Sequence, residues 1–243
     1  MQMSKEESCI RECRIPVEPL ILYFVLFFPG VYASGFPVQF SAGLEGGETI
    51  PFSALRELGR TLTYTVPSLA LLWYLILGKK PKKIKYFSDL NLKKTIKRAF
   101  IPFIAGLPGL IIIGLSISFL IAFFIQAKGL PSPPKVEAPR NPLSWTVMVL
   151  SCIGTGYLEE SYFRYYLLTK LKNLLITPVK MIILSTILFS VCHIYEGPWG
   201  ILNATLAGIL LSLLFIRYKS LHGIAWAHAC YNIFVYVMGN FGS

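Results

Sequence analysis

Charge is what this sequence is short of. Only 14% of its 243 residues are Asp, Glu, Lys or Arg, against about a quarter in an ordinary soluble chain. Acid is scarcer than base, 12 residues against 23, and there are three histidines. With 54% hydrophobic residues and a mean hydropathy of +0.60, the composition excludes an ordinary soluble domain and indicates a polytopic membrane protein. Cysteine is also sparse. Of five, Cys9 and Cys13 fall in an arm expected to be cytoplasmic, where thiols stay reduced, so no disulfide framework is expected. Two such ligands are too few for a structural zinc site. No internal repeat occurs, and no small-residue cleavage site follows the first apolar run, so no cleavable signal peptide is expected.

The apolar runs predict an all-α bundle of about seven transmembrane helices. The formal charge of +11 follows that topology. The segments sharing a side with the N-terminus, 1–19, 79–99, 169–180 and 217–220, carry 3, 9, 3 and 2 Lys/Arg. Those on the opposite side carry 5 in all, and a bias of 17 to 5 puts the N-terminus in the cytoplasm. The basic excess therefore reflects orientation and anionic lipid rather than nucleic acid. The first spans are expected near 20–36, which contains Pro29, near 61–78 and near 100–126, a lipid-facing structural helix. Between the first two, Phe52, Leu55 and Leu58 could line one side of an interfacial helix. The whole chain reads as one membrane domain. Residues 1–143 supply N-terminal helices and a basic cytoplasmic loop, and residues 144–243 supply helices that carry the intramembrane charge.

Scarce charge makes its position informative. Residues 145–168 read WTVMVLSCIGTGYLEESYFRYYLL, long enough to cross a bilayer, with Glu159, Glu160 and Arg164 inside. Each costs about 3 kcal/mol near the centre of a span, so such residues are read as functional. Glu160 and Arg164 are four apart and can pair on one face. Glu159 is turned about 100° from Glu160 and about 140° from Arg164, so it is the carboxylate that Arg164 neutralises least. That makes it the candidate acid/base. A salt-bridged triad that only locks helix packing is the plainer alternative.

Two more spans return polar groups to the bilayer. The fifth, 178–196, carries Phe189 and His193 one turn apart, and the seventh, 221–238, carries His228 and Asn232 one turn apart. Isolated, each would be a buried polar group without a partner, so the economical arrangement is one shared polar cavity. Ser151, Cys152, Gly154, Thr155 and Gly156 are small enough to let helices close around Glu159. Helix lengths leave a mismatch. Counted from the expected cytoplasmic ends, Glu159 and His228 lie about 10–14 Å deep and His193 about 22 Å deep. His222, near the cytoplasmic end of its helix, is expected at an interface.

The set Glu159-Glu160-x-x-x-Arg164, Phe189-x-x-x-His193 and His228-x-x-x-Asn232 resembles the three motifs of the CAAX protease and bacteriocin-processing family of intramembrane endopeptidases. The resemblance covers roughly residues 145–235. It implies that Glu159 and His193 activate a water, that His228 and Asn232 hold the oxyanion, and that Glu160, Arg164 and Phe189 support them. It implies hydrolysis of a peptide bond near the terminus of a membrane-associated protein or peptide, with no cofactor, in a membrane that the compact chain suggests is a prokaryotic plasma membrane. The residue types suit that chemistry, because amide hydrolysis needs a base for water and donors for the tetrahedral oxygen. Three alternatives stay open. Zinc could use the same carboxylates and imidazoles, although no His-Glu-x-x-His is present. Cys152, Cys192 and Cys230 sit on the motif helices, but Cys192 is expected to point about 100° away from His193. A non-catalytic protein that binds peptides or confers bacteriocin immunity is the third. The expected partners are a peptide or protein substrate and the bilayer.

Overall fold

Among the described residues, seven helical rods form where apolar runs lie, and several of their ends carry local stop signals. The computed structural model describes residues 17–28, 49–78, 92–128 and 135–241. The arm with Cys9 and Cys13, Pro29 with the Gly-rich loop, the basic linker up to residue 91 and the Pro-rich stretch at 129–134 lie outside the described residues. The rods are α1 (Val17–Phe27), then α2 (Ala54–Arg60) continuing through a π turn (Thr61–Thr65) into α3 (Val66–Gly78), then α4 (Leu92–Lys128). Next comes α5 (Pro142–Glu160), continuing through a second π turn (Ser161–Leu167) into α6 (Leu168–Asn173). The last are α7 (Pro178–Val191), α8 (Gly197–Tyr218) and α9 (Leu221–Phe241). A two-residue parallel bridge pairs β1 (Thr49–Ile50) with β2 (Lys135–Val136).

Several starts and stops have a local cause. Asn141 accepts a hydrogen bond from the Ser144 amide at 2.8 Å and Pro142 opens α5, which satisfies one orphan donor and supplies the right φ for a first turn. Lys219 takes the left-handed conformation (φ 53°) that ends α8, with its amide on Phe215 O at 2.8 Å.

Two stretches, Ile96–Ala127 and Ile194–Tyr218, are helical, long and apolar enough to cross a membrane. On α4, Phe100, Ile104, Ile112, Phe119 and Phe123 are each more than half exposed. Such a face is suited to lipid and not to water, in line with the structural role expected for this helix. The core, around Tyr23, Tyr162, Phe163, Phe189, Leu211 and Ile224, takes in Leu110 of α4. α1 is fastened there by its tyrosine partners: Tyr23 Oη donates to Leu188 O (2.7 Å) and Tyr162 Oη to Pro19 O (2.6 Å).

Three expected boundaries are corrected. Residues 54–60 are the first turns of the second rod and not a separate interfacial helix, and Leu55 is exposed. The Thr61 amide bonds back to Glu57 O and Leu58 O, which keeps the helix continuous. The fourth rod runs on to Asn173 instead of stopping near 168. The fifth stops at Val191, five residues early, because Gly197 (φ 76°) and Pro198 turn the chain through a 3-10 segment at Ile194–Glu196.

Candidate active site

The charge pair at the end of α5 is buried completely. Arg164 Nη1 lies 3.1 Å from Glu160 Oε1, and both side chains are 0% exposed. Arg164 sits in the π turn, a distortion that often marks functional positions. Its guanidinium lies 4.3 Å from the centre of the Phe189 ring, a cation–π contact that adds attraction in a desolvated place. Glu160 does more than neutralise Arg164. Its Oε1 also meets His228 Nδ1 at 2.8 Å. A carboxylate only accepts, so Nδ1 carries the proton and Nε2 is turned toward Glu159 Oε2, 3.6 Å away. Glu159 is 12% exposed, and its Oε2 has no hydrogen-bond donor among the described residues.

His193 is oriented by the end of its helix. Where α7 stops, the amide of residue 193 bonds to Ser190 O, and the carbonyl of Phe189 loses its usual i+4 amide partner. His193 Nδ1 fills that role at 2.8 Å, donating to Phe189 O and leaving Nε2 as the acceptor. The Phe189 ring lies between the two imidazoles, 4.6 Å from His193 and 6.1 Å from His228, centre to centre. The same ring also carries the Arg164 guanidinium on its face. Glu196 and Glu159 are the carboxylates near enough to act electrostatically on His193. Asn232 follows His228 by one turn of α9 and is partly buried.

The depth mismatch closes. Glu159 is 14 residues from the end of α6, and His193 is 15 from the start of α7, about 21 and 22 Å along the helices. α9 begins deeper than α4: a Cβ added at Gly223 would lie 2.5 Å from Ala99 O, seven residues inside the start of α4 at Leu92. Those seven residues and the five from Gly223 to His228 make about 18 Å, within one helical turn of the other two. Small residues then bring the walls together. A Cβ at Gly156 would sit 3.0 Å from Ala225 O and 3.1 Å from Ala229 N, so α5 and α9 touch backbone to backbone beside Glu159.

Cys192 does not point away from His193 as a helix would require. Because the helix has ended, its Sγ is 3.3 Å from His193 Nδ1 and 3.0 Å from Phe189 O. It thus faces the orienting edge of the imidazole. Cys152 is buried against Met148 Sδ. His222 Nδ1 and Tyr157 Oη share a hydrogen bond at 2.9 Å.

Residues outside the three motifs complete the surroundings. Arg60 Nη2 reaches Ser151 Oγ (2.8 Å), Thr155 Oγ1 (3.5 Å) and Glu57 Oε2 (2.9 Å). Ser151, Thr155 and Glu159 are spaced by four along α5, so this cluster lies on the Glu159 face. Tyr64 is near enough to feel both Glu159 and Arg60, and so is Tyr195, which stacks on His193 at 6.3 Å. Among the described residues no three His, Cys, Asp or Glu side chains are grouped to hold one metal ion.

Residues 141–234 match a family model described as Rce1-like, type II CAAX prenyl endopeptidase. The matched segment contains all seven motif residues, from Glu159 to Asn232. This is the family grouping that the motifs resemble, and it supports protease activity in general. No curated protein and no solved structure matched the chain.

Proposed function

We propose, from the premise that residues 141–234 are Rce1-like, that this chain is an intramembrane endopeptidase of the glutamate type, working without a metal. The observation that carries the reading is the convergence of Glu159 and His228 at 3.6 Å, with His193 one aromatic ring away. In this reading Glu159 and the free Nε2 of His193 take a proton from water, whose oxygen then adds to the scissile carbonyl carbon. The carbonyl oxygen becomes the oxyanion, held by the Asn232 amide and by His228 Nε2–H. Nδ1 of His228 is already protonated toward Glu160, so Nε2 donates to the oxyanion when the ring is imidazolium. Collapse breaks the C–N bond, and the proton passes from the acid/base to the leaving amine.

The 17 to 5 charge bias supports a cytoplasmic N-terminus. The substrate is a membrane-associated protein or peptide cut near its end. The test compares the membrane and secreted proteomes of cells carrying wild type or Glu159→Gln. The reading expects new, uncut termini in the variant; identical termini would refute it.

A second reading has one observation in its favour. Cys192 Sγ lies 3.3 Å from His193, a distance at which a thiol could be activated. Against it, the thiol is 8% exposed and also donates to Phe189 O.

A further inference from the structure

We propose that the turn between α6 and α7 and the end of α8 form a site for one anionic phospholipid, its headgroup held between Lys172 and Lys219 and its acyl chains against Leu175. The site lies on the side shared with the N-terminus, away from the motif residues, and the inference is independent of the hydrolase reading.

Among the described residues, two other than glycine take a positive φ, and both end helices on this side. Leu175 (φ 58°) closes α6: its amide bonds to Lys172 O at 3.1 Å and the Ile176 amide to Leu171 O at 3.3 Å. Glycine is the usual residue at that position of the motif. Lys219 (φ 53°) closes α8 in the same backbone conformation. A side chain is carried there at a cost that glycine avoids. What the two positions present is a leucine that is 89% exposed and an exposed lysine. Val179, in the first turn of α7 and 66% exposed, extends the apolar part.

The length of α8 sets the height of this face. Its 22 residues make about 33 Å, against about 30 Å of hydrocarbon, so Lys219, just past the apolar stretch Ile194–Tyr218, lies at headgroup level. Partial burial and, after it, the charge of Lys172 push the Lys219 ammonium below its ordinary value. The two cations are therefore neighbours, and Leu175, three residues after Lys172, stands at the same boundary. Segments 169–180 and 217–220 contain Lys170, Lys172, Lys180, Arg217 and Lys219 and no Asp or Glu. Glu18 of α1 pairs with Lys170 at 3.4 Å and accepts from Tyr166 at 2.8 Å. The other four cations make no ion pair with a described residue. An anion between Lys172 and Lys219 relieves their repulsion. A soluble phosphate needs only the lysines, whereas Leu175 and Val179 gain from hydrocarbon beside it, and a phospholipid brings both.

The experiment titrates the purified full chain in detergent with dioleoyl phosphatidylglycerol, with dioleoyl phosphatidylcholine, and with glycerol 3-phosphate as the soluble headgroup. Bound molecules are counted by native mass spectrometry. One cation at an anionic lipid surface is worth about fivefold, so two should give phosphatidylglycerol a Kd about 25-fold below that of phosphatidylcholine. Lys172→Gln with Lys219→Gln should bring the two lipids level. Lys135→Gln with Arg140→Gln removes the same charge from an opposite-side segment and should leave the ratio unchanged. Leu175→Gly suits the left-handed turn, so its melting temperature should not fall, while both lipids should bind about tenfold more weakly. A ratio that survives loss of both lysines overturns the site, and so does glycerol 3-phosphate binding as tightly as phosphatidylglycerol. Unchanged lipid binding by Leu175→Gly overturns the place given to that side chain. Equal binding of the two lipids by the wild type overturns the inference and leaves an acidic protein surface as the partner for this face.

Discussion

Replacing Glu160 by Gln tests how the buried charges are organised. The substitution keeps shape and an acceptor for His228 Nδ1–H, but removes the only carboxylate that pairs directly with Arg164 among the described residues. Arg164 would then be a cation with 0% exposure, 4.3 Å from an aromatic face and without a counter-ion in contact. Removing one member of a buried ion pair costs about 3–5 kcal/mol. Arg164→Met alone should cost less, because His228 Nδ1 still donates to Glu160 Oε1. The double variant Glu160→Gln, Arg164→Met leaves no buried charge in the pair, and such replacements are often neutral within about 1–2 kcal/mol. The cycle should therefore show a coupling of several kcal/mol, far from additivity. The assay is thermal unfolding of the purified protein in detergent, followed by far-ultraviolet circular dichroism, with peptide hydrolysis measured on the same samples. Stability should recover in the double variant, but hydrolysis should stay about 10- to 100-fold down, because His228 has lost a charged orienting partner. Additive losses would refute the pairing. Full activity in the double variant would refute the role given to Glu160.

Other outcomes follow from the same geometry. Cys192→Ser keeps a donor to Phe189 O, so hydrolysis should stay within about tenfold of wild type; complete loss with the fold intact would favour the thiol as nucleophile. Gly156→Val should separate α5 from α9, since the new carbon would press on Ala225 O and Ala229 N, costing about 1–3 kcal/mol in a melt and lowering activity. Asn232→Ala should cut kcat by about 10²–10³ with little change in melting, which steady-state kinetics would register. Strong chelators should leave hydrolysis unchanged; loss restored by zinc would revive the metal alternative.

Two contacts beside the candidate site are legible in the sequence because charge in an apolar span is conspicuous. The Glu160–Arg164 pair follows from a spacing of four, and the close approach at Gly156 from a small residue beside a polar one. The contact of Glu160 with His228 was not legible, because it joins two helices whose relative height depends on where each begins. The π turn at Ser161–Leu167 has no sequence signal of the kind a cap or a proline gives, so the extension of that rod to Asn173 was missed, and with it the common depth of the three motifs. The early end of α7 had a signal in Gly197 and Pro198 that the apolar run concealed. That stop turns His193 Nδ1 back onto Phe189 O and brings Cys192 against the ring. Arg60 lay in a stretch that hydrophobic spacing alone assigned to the interface, and only packing of the second rod on α5 revealed its partners.

The most direct measurement of the central claim is hydrolysis by purified Glu159→Gln beside wild type, with the melting curve of each recorded. A water-activating Glu159 predicts a loss of at least about 10²–10⁴ in kcat at an unchanged melting temperature. A well-folded Glu159→Gln that still cuts peptides at the wild-type rate would contradict the account.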